Sequence, residues 1–221
     1  MNGIQDTSIL DAMTKRSPLA LAVLALLVEA PMHPYSIQRL LKERGKHRVI
    51  NLGQRATFYK TITRLQRDGL VEVRETVRHH QRPERTVYVA TAEGRAVVVA
   101  WMREMLSTPR TEFPEFPAAI AYLPLLAPRD ALHQLETRQV RLKDALADQK
   151  TGLAAAPRGL PRLFLLEEEY IRAITRAELA WVTSVVDDLR TGRITWSPKW
   201  LAEIAARFAR KDEAPRKRGR T

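Results

Sequence analysis

The chain has 221 residues, 45% of them apolar, with 37 Lys and Arg against 25 Asp and Glu and no cysteine. That supplies a core for one large domain or two small ones, and it excludes disulfide scaffolds, thiolate zinc sites, iron–sulfur clusters and thiol nucleophiles. The net charge of +12 points to a polyanion, either nucleic acid or an anionic membrane surface, and says nothing about fold. The charge is also focused. Residues 1–110 carry 18 basic and 10 acidic side chains, residues 111–206 carry 12 and 13, and residues 207–221 carry 7 and 2. Residues 39–85 alone carry 13 and 5, which accounts for the whole excess of the first block. A basic patch, a neutral middle and a basic tail divide the labour along the chain.

Residues 1–16 are weakly patterned and read as an N-terminal arm. Ser17-Pro18 has the form of a helix start, a hydroxyl cap followed by proline at the first helical position. The helix it opens runs to about Ala30 and is apolar on most sides, as a helix buried within a bundle must be. Its apolar run, Leu19 to Val28, is about half of the roughly 20 residues needed to span a bilayer, so no membrane span is expected. A secretory leader is the rival reading, since Lys15-Arg16 precede the run and Val28-Glu29-Ala30 looks like a cleavage site. Asp6, Asp11 and the length of that leader weigh against it, and a cytoplasmic location is expected.

Pro31-Met32-His33-Pro34 breaks the chain. A second helix carries Tyr35, Ile37, Leu40 and Leu41 and ends at Gly45. A third spans 54–68, with Phe58, Ile62 and Leu65 on one face and Gly69 at its end. The period then changes to that of strands. Leu70, Val71 and Val73 lead into the charged run His79-His80-Gln81-Arg82-Pro83-Glu84-Arg85, and Val87-Tyr88-Val89 returns, as in a hairpin with a basic, flexible tip. Thr91-Ala92-Glu93-Gly94 opens a helix through Val97, Val98, Trp101 and Leu106.

Pro109 to Pro117 reads as a joint, and everything beyond it as helix. Leu132, Leu135, Gln139, Leu142 and Leu146 form a short heptad seam interrupted by one polar residue. Leu163, Leu166, Tyr170, Ile174, Ala177, Trp181, Val185 and Leu189 form the apolar stripe of a long, almost straight helix ended by Gly192. Pro198 to Arg210 fits a last helix, and residues 214–221 have the composition of a disordered tail. The expected fold is mainly α. A winged helix-turn-helix with a two-stranded β wing (17–108) precedes an α-helical dimerisation and effector domain (109–210) and a basic tail (211–221).

On a helical wheel with Phe58 at zero, Ile62 and Leu65 lie within about 40° of it and pack inward. The opposite face carries Ala56, Thr57, Lys60, Thr63, Arg64 and Arg67, flanked by Arg55 and Tyr59. A helix entering a major groove by its N-terminus needs this pattern, because short side chains allow close approach and Lys or Arg reach guanine O6 and N7. The other hydroxyl and cationic groups suit phosphate oxygens. A merely solvated basic face is the plain alternative for an isolated helix. The hairpin tip tips the balance, since it sets His79, His80, Arg82 and Arg85 in a basic loop beside that face, able to lie over phosphates or to enter a narrow minor groove.

The segment Leu27-Val28-Glu29-Ala30-Pro31-Met32-His33-Pro34-Tyr35-Ser36-Ile37 resembles the opening of PadR-type transcriptional regulators, with proline where glycine is usual at Pro34. Residues 56–71, from Ala56 through Phe58-Tyr59 to Gly69-Leu70-Val71, resemble their recognition-helix segment. Gln81-Arg82-Pro83, Val87-Tyr88 and Thr91-Ala92-Glu93-Gly94-Arg95 resemble the wing and the helix after it. The resemblance covers about residues 17–106, and the remainder is similar in size and pattern to the longer PadR subgroup. It implies a homodimer, usually a repressor, with interlocked C-terminal helices and in many members a small aromatic or multidrug-like effector. By position it matches Tyr59 to a recognition-helix tyrosine and Arg82 to a wing arginine.

The DNA-binding candidates are therefore Arg55, Thr57, Tyr59, Lys60, Arg64, Arg67, His80, Arg82 and Arg85. For an effector the candidates are Trp101, Tyr170 and Trp181, large rigid faces with a polar handle; a core role is the ordinary one for aromatics at such spacing. His79, His80 and Glu84 are too few and too loosely placed for a metal site. The basic tail could add sequence-independent affinity for phosphates or merely solubilise the end. No nucleophile elbow, phosphate-binding glycine loop, His-Glu metal helix or dinucleotide fingerprint occurs, so neither catalysis nor a cofactor is expected. A winged helix that docks on protein or RNA is the remaining rival. Protein docking would want exposed apolar residues on the 54–68 helix, and RNA reading would want aromatic platforms on the sheet beyond Tyr88.

Overall fold

The computed structural model describes residues 16–53, 55–79, 82–155, 157 and 159–212, with side chains undescribed at 77–79, 82–85 and 209–212. The expected N-terminal arm up to Lys15 and the basic tail from residue 213 lie outside the described residues. The chain divides into two compact units, Met1–Thr111 and Glu112–Thr221.

The first unit is built on α1 (Pro18–Glu29). Ser17 Oγ accepts from Ala20 N at 3.1 Å and Pro18 stands at N1, which satisfies the helix start as its sequence predicts. Leu19, Ala20, Val23, Leu24, Leu26 and Leu27 are all buried, so α1 forms the centre of the unit. Then α2 (Pro34–Glu43) starts at the proline that departs from the family pattern. Pro34 occupies the first turn, where an N–H is not needed, and His33 Nδ1 caps the helix from Tyr35 N at 3.1 Å. Arg44 makes a two-pronged ion pair with Glu29, 2.8 Å and 2.9 Å, tying the end of α2 to the end of α1. Hydrogen bonding from Arg44 holds the Glu29 carboxyl below its ordinary pKa. A 3-10 turn at Lys46–Arg48 precedes α3 (Arg55–Arg67). Phe58, Ile62 and Leu65 of α3 are buried against α1, the inward face that the sequence period predicts.

The wing is a two-stranded antiparallel sheet, β1 (Val71–His79) and β2 (Arg82–Ala90). Here the structure corrects the expected flexible tip. The charged run does not form a long loop, because pairing continues through Thr76↔Thr86 and Val77↔Arg85 to His79↔Arg82. Continued pairing satisfies backbone groups that a loop would leave to solvent, and Thr76, Val77, Thr86 and Val87 favour strand geometry. Only His80 and Gln81 separate the strands, and both lie outside the described residues. The Pro31–Pro34 break also does more than interrupt the chain, since Met32 bridges Tyr88 of β2 through bonds of 2.9 Å and 3.0 Å.

α4 (Ala92–Ser107) follows with Thr91 as its N-cap. Thr91 Oγ1 accepts from Gly94 N at 3.0 Å while donating to Gly69 O at 2.7 Å. Gly94 is buried against Leu70, and a Cβ there would sit 2.1 Å from Leu70 O.

The second unit holds α5 (Glu115–Ala121), α6 (Pro128–Ala154), α7 (Leu166–Arg190) and α8 (Pro198–Asp212). Part of the expected joint is thus helix. The expected helix start at Leu163 is a 3-10 turn, Arg162–Leu165, before α7 proper. α6 and α7 pack antiparallel, with Leu135, Val182 and Val186 in their seam. Polar bonds set the register. Gln139 Nε2 donates to Thr183 Oγ1 at 2.9 Å, Gln149 Nε2 to Thr175 Oγ1 at 3.2 Å, and Arg190 Nη2 to Glu136 Oε1 at 2.6 Å. No helix among the described residues is long and apolar enough to cross a membrane.

Gly94→Ala is expected to destabilise the first unit by about 1–3 kcal/mol or more, because the methyl group meets a backbone carbonyl that cannot swing away. Urea unfolding checks this, and an unchanged midpoint would contradict the packing.

Candidate nucleic-acid interface

α3 has two faces of opposite chemistry because its apolar residues recur with the helical period. Burying Phe58, Ile62 and Leu65 turns Arg55, Ala56, Thr57, Lys60, Thr63 and Arg67 to solvent, and all six are exposed. At its N-terminal half the Arg55 guanidinium lies 5.6 Å from the Tyr59 ring centroid. Tyr59 is half-buried, packs against the core and meets the Phe58 ring edge-on at 6.1 Å. A ring fixed by the core on one side orients the cation on the other, which limits the freedom that Arg55 would lose on binding. Thr61 is buried, and its hydroxyl is satisfied by donating to Thr57 O at 2.9 Å.

The three downstream cations differ in freedom. Lys60 is fully on the solvent face. Arg64 is half-buried, and its Nε is shut off from solvent without a hydrogen-bond partner. Arg67 is exposed but its Nε is bonded to Asp68 Oδ1 at 2.9 Å, at the end of the helix farthest from the entering turn. Of the wing candidates, His80 lies outside the described residues, and Arg82 and Arg85 are placed in β2 with their side chains undescribed. The metal reading at His79, His80 and Glu84 falls on the same undescribed side chains.

Two features of this surface were missed in the sequence. The register shifts between Val73 and Glu75, so Arg74 is the extra, exposed residue of a bulge that re-aims a cation from the wing. The other is the ordered basic turn at Lys46–Arg48. Neither has a periodic signature: a bulge depends on the partner strand, and a 3-10 turn is too short to show a period.

The effector candidates are scattered. Trp101 is 7% exposed and belongs to the core of the first unit together with Val97 and Val98. Tyr170 and Trp181 lie in the second unit, 68% and 45% exposed. Trp181 meets the Phe116 ring edge-on at 5.9 Å, and the Arg138 guanidinium stacks 3.5 Å from the centroid of the same ring. Phe116 and Arg138 in turn line a groove of about 700 Å³ with Ile120, Leu123, Gln134 and Leu142. The long stripe meets the seam only at its C-terminal end, where Val185 and Leu189 pack against it. Leu166, Tyr170, Ile174 and Trp181 are exposed, whereas Val182 and Val186 face α6.

A buried α1, a helix with a cationic outer face and a two-stranded wing define a winged helix, which a helical unit follows in the chain. The model of the transcriptional regulator PadR-like family matches residues 23–100. The match lies wholly within the first unit. No curated protein matches the sequence. Among solved structures, Bacillus subtilis PadR in complex with operator DNA is similar at a TM-score of 0.61 and 18% identity, covering 78% of this chain and 99% of that one. The same protein in complex with p-coumaric acid gives 0.62 and 18%, covering 78% and 98%. The PadR-like regulator BC1756 from Bacillus cereus gives 0.54 and 17%, covering 80% and 99%. At such identities these likenesses establish the fold.

Trp101→Ala is expected to cost about 3–5 kcal/mol of stability, as a large aromatic removed from a closed core. Thermal or urea unfolding reads it, and a loss under about 1 kcal/mol would free the indole for another role.

Proposed function

We propose that the protein is a cytoplasmic, homodimeric repressor that binds a pseudo-palindromic operator and releases it when a small aromatic effector binds. The observation that carries the reading is the outer face of α3, where Thr57, Lys60 and Thr63 are exposed opposite a face locked into the core. Two such helices enter successive major grooves. Lys60 and Arg64 reach base edges, and Arg55, Thr57, Tyr59 and Arg67 hold phosphates or set register. His80, Arg82 and Arg85 of the wing grip the flanking backbone.

The second copy is supported by the open stripe Leu166, Tyr170, Ile174 and Trp181 on α7, a contiguous apolar face of the kind that marks an interaction site. The effector reading draws on the neighbour crystallised with p-coumaric acid. In this chain Tyr170 and Trp181 are accessible aromatic faces, and Trp181 adjoins the groove lined by Phe116 and Arg138. Trp101 would act through the packing of α4 rather than by an open face.

The test is selection of duplexes from a random-sequence pool by the full chain, then titration of the winner against its scramble at two salt concentrations. A palindromic winner bound far more tightly than the scramble supports the reading, and equal binding of both overturns it. Arg64→Ala is expected to cost about 1–3 kcal/mol and to relax reading at one position per half-site. Arg82→Ala is expected to weaken all sequences alike and flatten the salt dependence. p-Coumaric acid, used as a probe of the aromatic class, is expected to lower operator affinity in the intact protein and to lose that effect in Trp181→Ala. Unchanged operator binding across the aromatic acids would remove the effector from the reading.

A further inference from the structure

Lys and Arg total 37, of which nine are lysines, and the nine are not placed alike. Eight have an Asp or Glu within four positions along the chain, as Lys143 has Asp144, Lys150 has Asp148 and Lys199 has Glu203. Lys60 has none, and its closest acid in sequence is Asp68. It is also the only lysine between Lys46 and Lys143, so every other Lys or Arg position of α3 and the wing is an arginine. The two side chains differ in chemistry as well as shape. A guanidinium stays protonated at physiological pH and is a poor nucleophile, whereas an ammonium can give up a proton and react as the free amine. The outer face of α3 therefore holds a single amine.

α3 presents that amine in the open. Lys60 is exposed and makes no hydrogen bond or ion pair with any described residue. One turn before it stand Ala56 and Thr57, both exposed and both short, so no long side chain covers its stem from that end. One turn after it stand Thr63, exposed, and Arg64, half-buried. Side chains so spaced on a helix lie about 5–6 Å apart at their Cβ atoms. Phe58, Ile62 and Leu65 are locked into the core, which fixes the backbone that carries all four neighbours. Lys60 is thus flanked by hydroxyls and a guanidinium, groups that hold phosphate oxygens well.

Lysines react as the free amine, a minor species at neutral pH, so the concentration of donor at each amine decides which reacts first. An anion is enriched over a basic surface and depleted beside carboxylates. We propose that Lys60 is an acylation site for small acyl phosphates, and that its acylation switches off the outer face of α3. The lone pair of Lys60 Nζ attacks the acyl carbonyl carbon. An N–C bond forms as the C–O bond to the phosphate breaks, inorganic phosphate leaves with that electron pair, and the surplus amine proton passes to water. The product is a neutral amide, so the side chain loses its charge and its ammonium donors. What met a base edge or a phosphate as a cation then meets it with a longer, uncharged tip. The switch rests on the operator reading of α3, and the modification itself does not.

The experiment incubates the folded full chain with acetyl phosphate and follows acetylation of each lysine by peptide mass mapping. Lys60 is expected to react about tenfold faster than Lys143 and Lys150, exposed lysines of the second unit with acids close by. That preference is expected to shrink at about 1 M salt, where the screening length is about 3 Å. With a neutral acyl ester as donor it is expected to fall below about threefold, because a basic surface does not concentrate a neutral molecule. Acetyl phosphate treatment is then expected to weaken binding of the selected duplex about tenfold or more in the wild type. Lys60→Arg, shown to fold by circular dichroism, is compared with its own untreated sample and is expected to keep that affinity. Equal rates at Lys60 and the two reference lysines overturn the site. An undiminished preference with the neutral ester also overturns it, since exposure rather than anion binding would then select the amine. A loss of affinity shared by Lys60→Arg overturns the switch, because other amines would be responsible. These outcomes leave the operator reading standing. Wild-type protein that binds no duplex before treatment overturns the operator reading and the switch together, while the rates still decide the site.

Discussion

The geometry of the first unit depends on one hydroxyl. Thr91 Oγ1 donates to Gly69 O at 2.7 Å and accepts from Gly94 N at 3.0 Å, while Thr91 N donates to Leu70 O at 3.1 Å. The last turn of α3, the first residues of β1, the end of β2 and the first turn of α4 therefore meet in a space of four residues. A glycine at 94 is needed because Leu70 O occupies the place of its Cβ. The angle between α3 and the wing is consequently set by short backbone bonds rather than by long side chains. A reader of DNA needs such a fixed angle, because an error of an ångström at the pivot becomes several ångströms at the wing tip.

Around that junction, the charge pattern follows from what the core refuses. α1 is apolar on nearly every side, so each element packed on it gives up an apolar face and sends its polar residues outward. For α3 the polar remainder is Arg, Lys and Thr, and for the wing it is alternating charges. Ion pairs then place individual cations. Glu29 holds Arg44 at the base of α2, Asp68 holds Arg67 at the far end of α3, and Glu104 holds Arg16. Cations near the N-terminal half of α3 have no such acid on their own helix, since the only carboxylate in the sequence between Arg44 and Glu72 is Asp68. The outer face of α3 therefore carries positive charge that no acid of the helix itself offsets.

Most of this was legible in the sequence where a period or a cap carries it. Ser17-Pro18, Thr91 with Gly94, the Phe58–Ile62–Leu65 spacing and the glycines after α3 and α7 all announce themselves locally, and the elements form as those signals require. The failures share a cause. The wing strands run farther than expected because pairing with a neighbour overrides a charged composition, and Met32 joins Tyr88 for a reason that lies wholly in β2. The 46–48 turn is shorter than any period. In the second unit the chosen stripe meets the seam only at its C-terminal end, through Val185 and Leu189, because Val182 and Val186 fill the centre of the seam and an apolar face that is wide offers two candidate lines. Trp101 shows the limit for sites: its spacing fits a core and a ligand shelf equally well, and only burial separates them.

A single recognition helix meets only a few base pairs, so selection among many sites demands two helices at a fixed spacing of about 34–36 Å or a multiple of it. Fixed spacing in turn demands arms that do not slide. α6 and α7 are locked in register by Gln139 to Thr183, Gln149 to Thr175 and Arg190 to Glu136, polar bonds that a one-turn slip would break together. Their seam uses only one side of α7, and the side left open carries a tyrosine, a tryptophan, a leucine and an isoleucine. Covering each such side chain is worth about 1.5–3 kcal/mol, so leaving four of them wet is a poor final state for a lone chain. In the proposed dimer the open line of α7 sets where the second copy sits, and the polar bonds beneath it keep that position constant. Aromatics on this line are then in a place where a flat molecule could compete with the partner for the same face, which would tie effector binding to helix spacing by a shared surface and require no path through the winged helix.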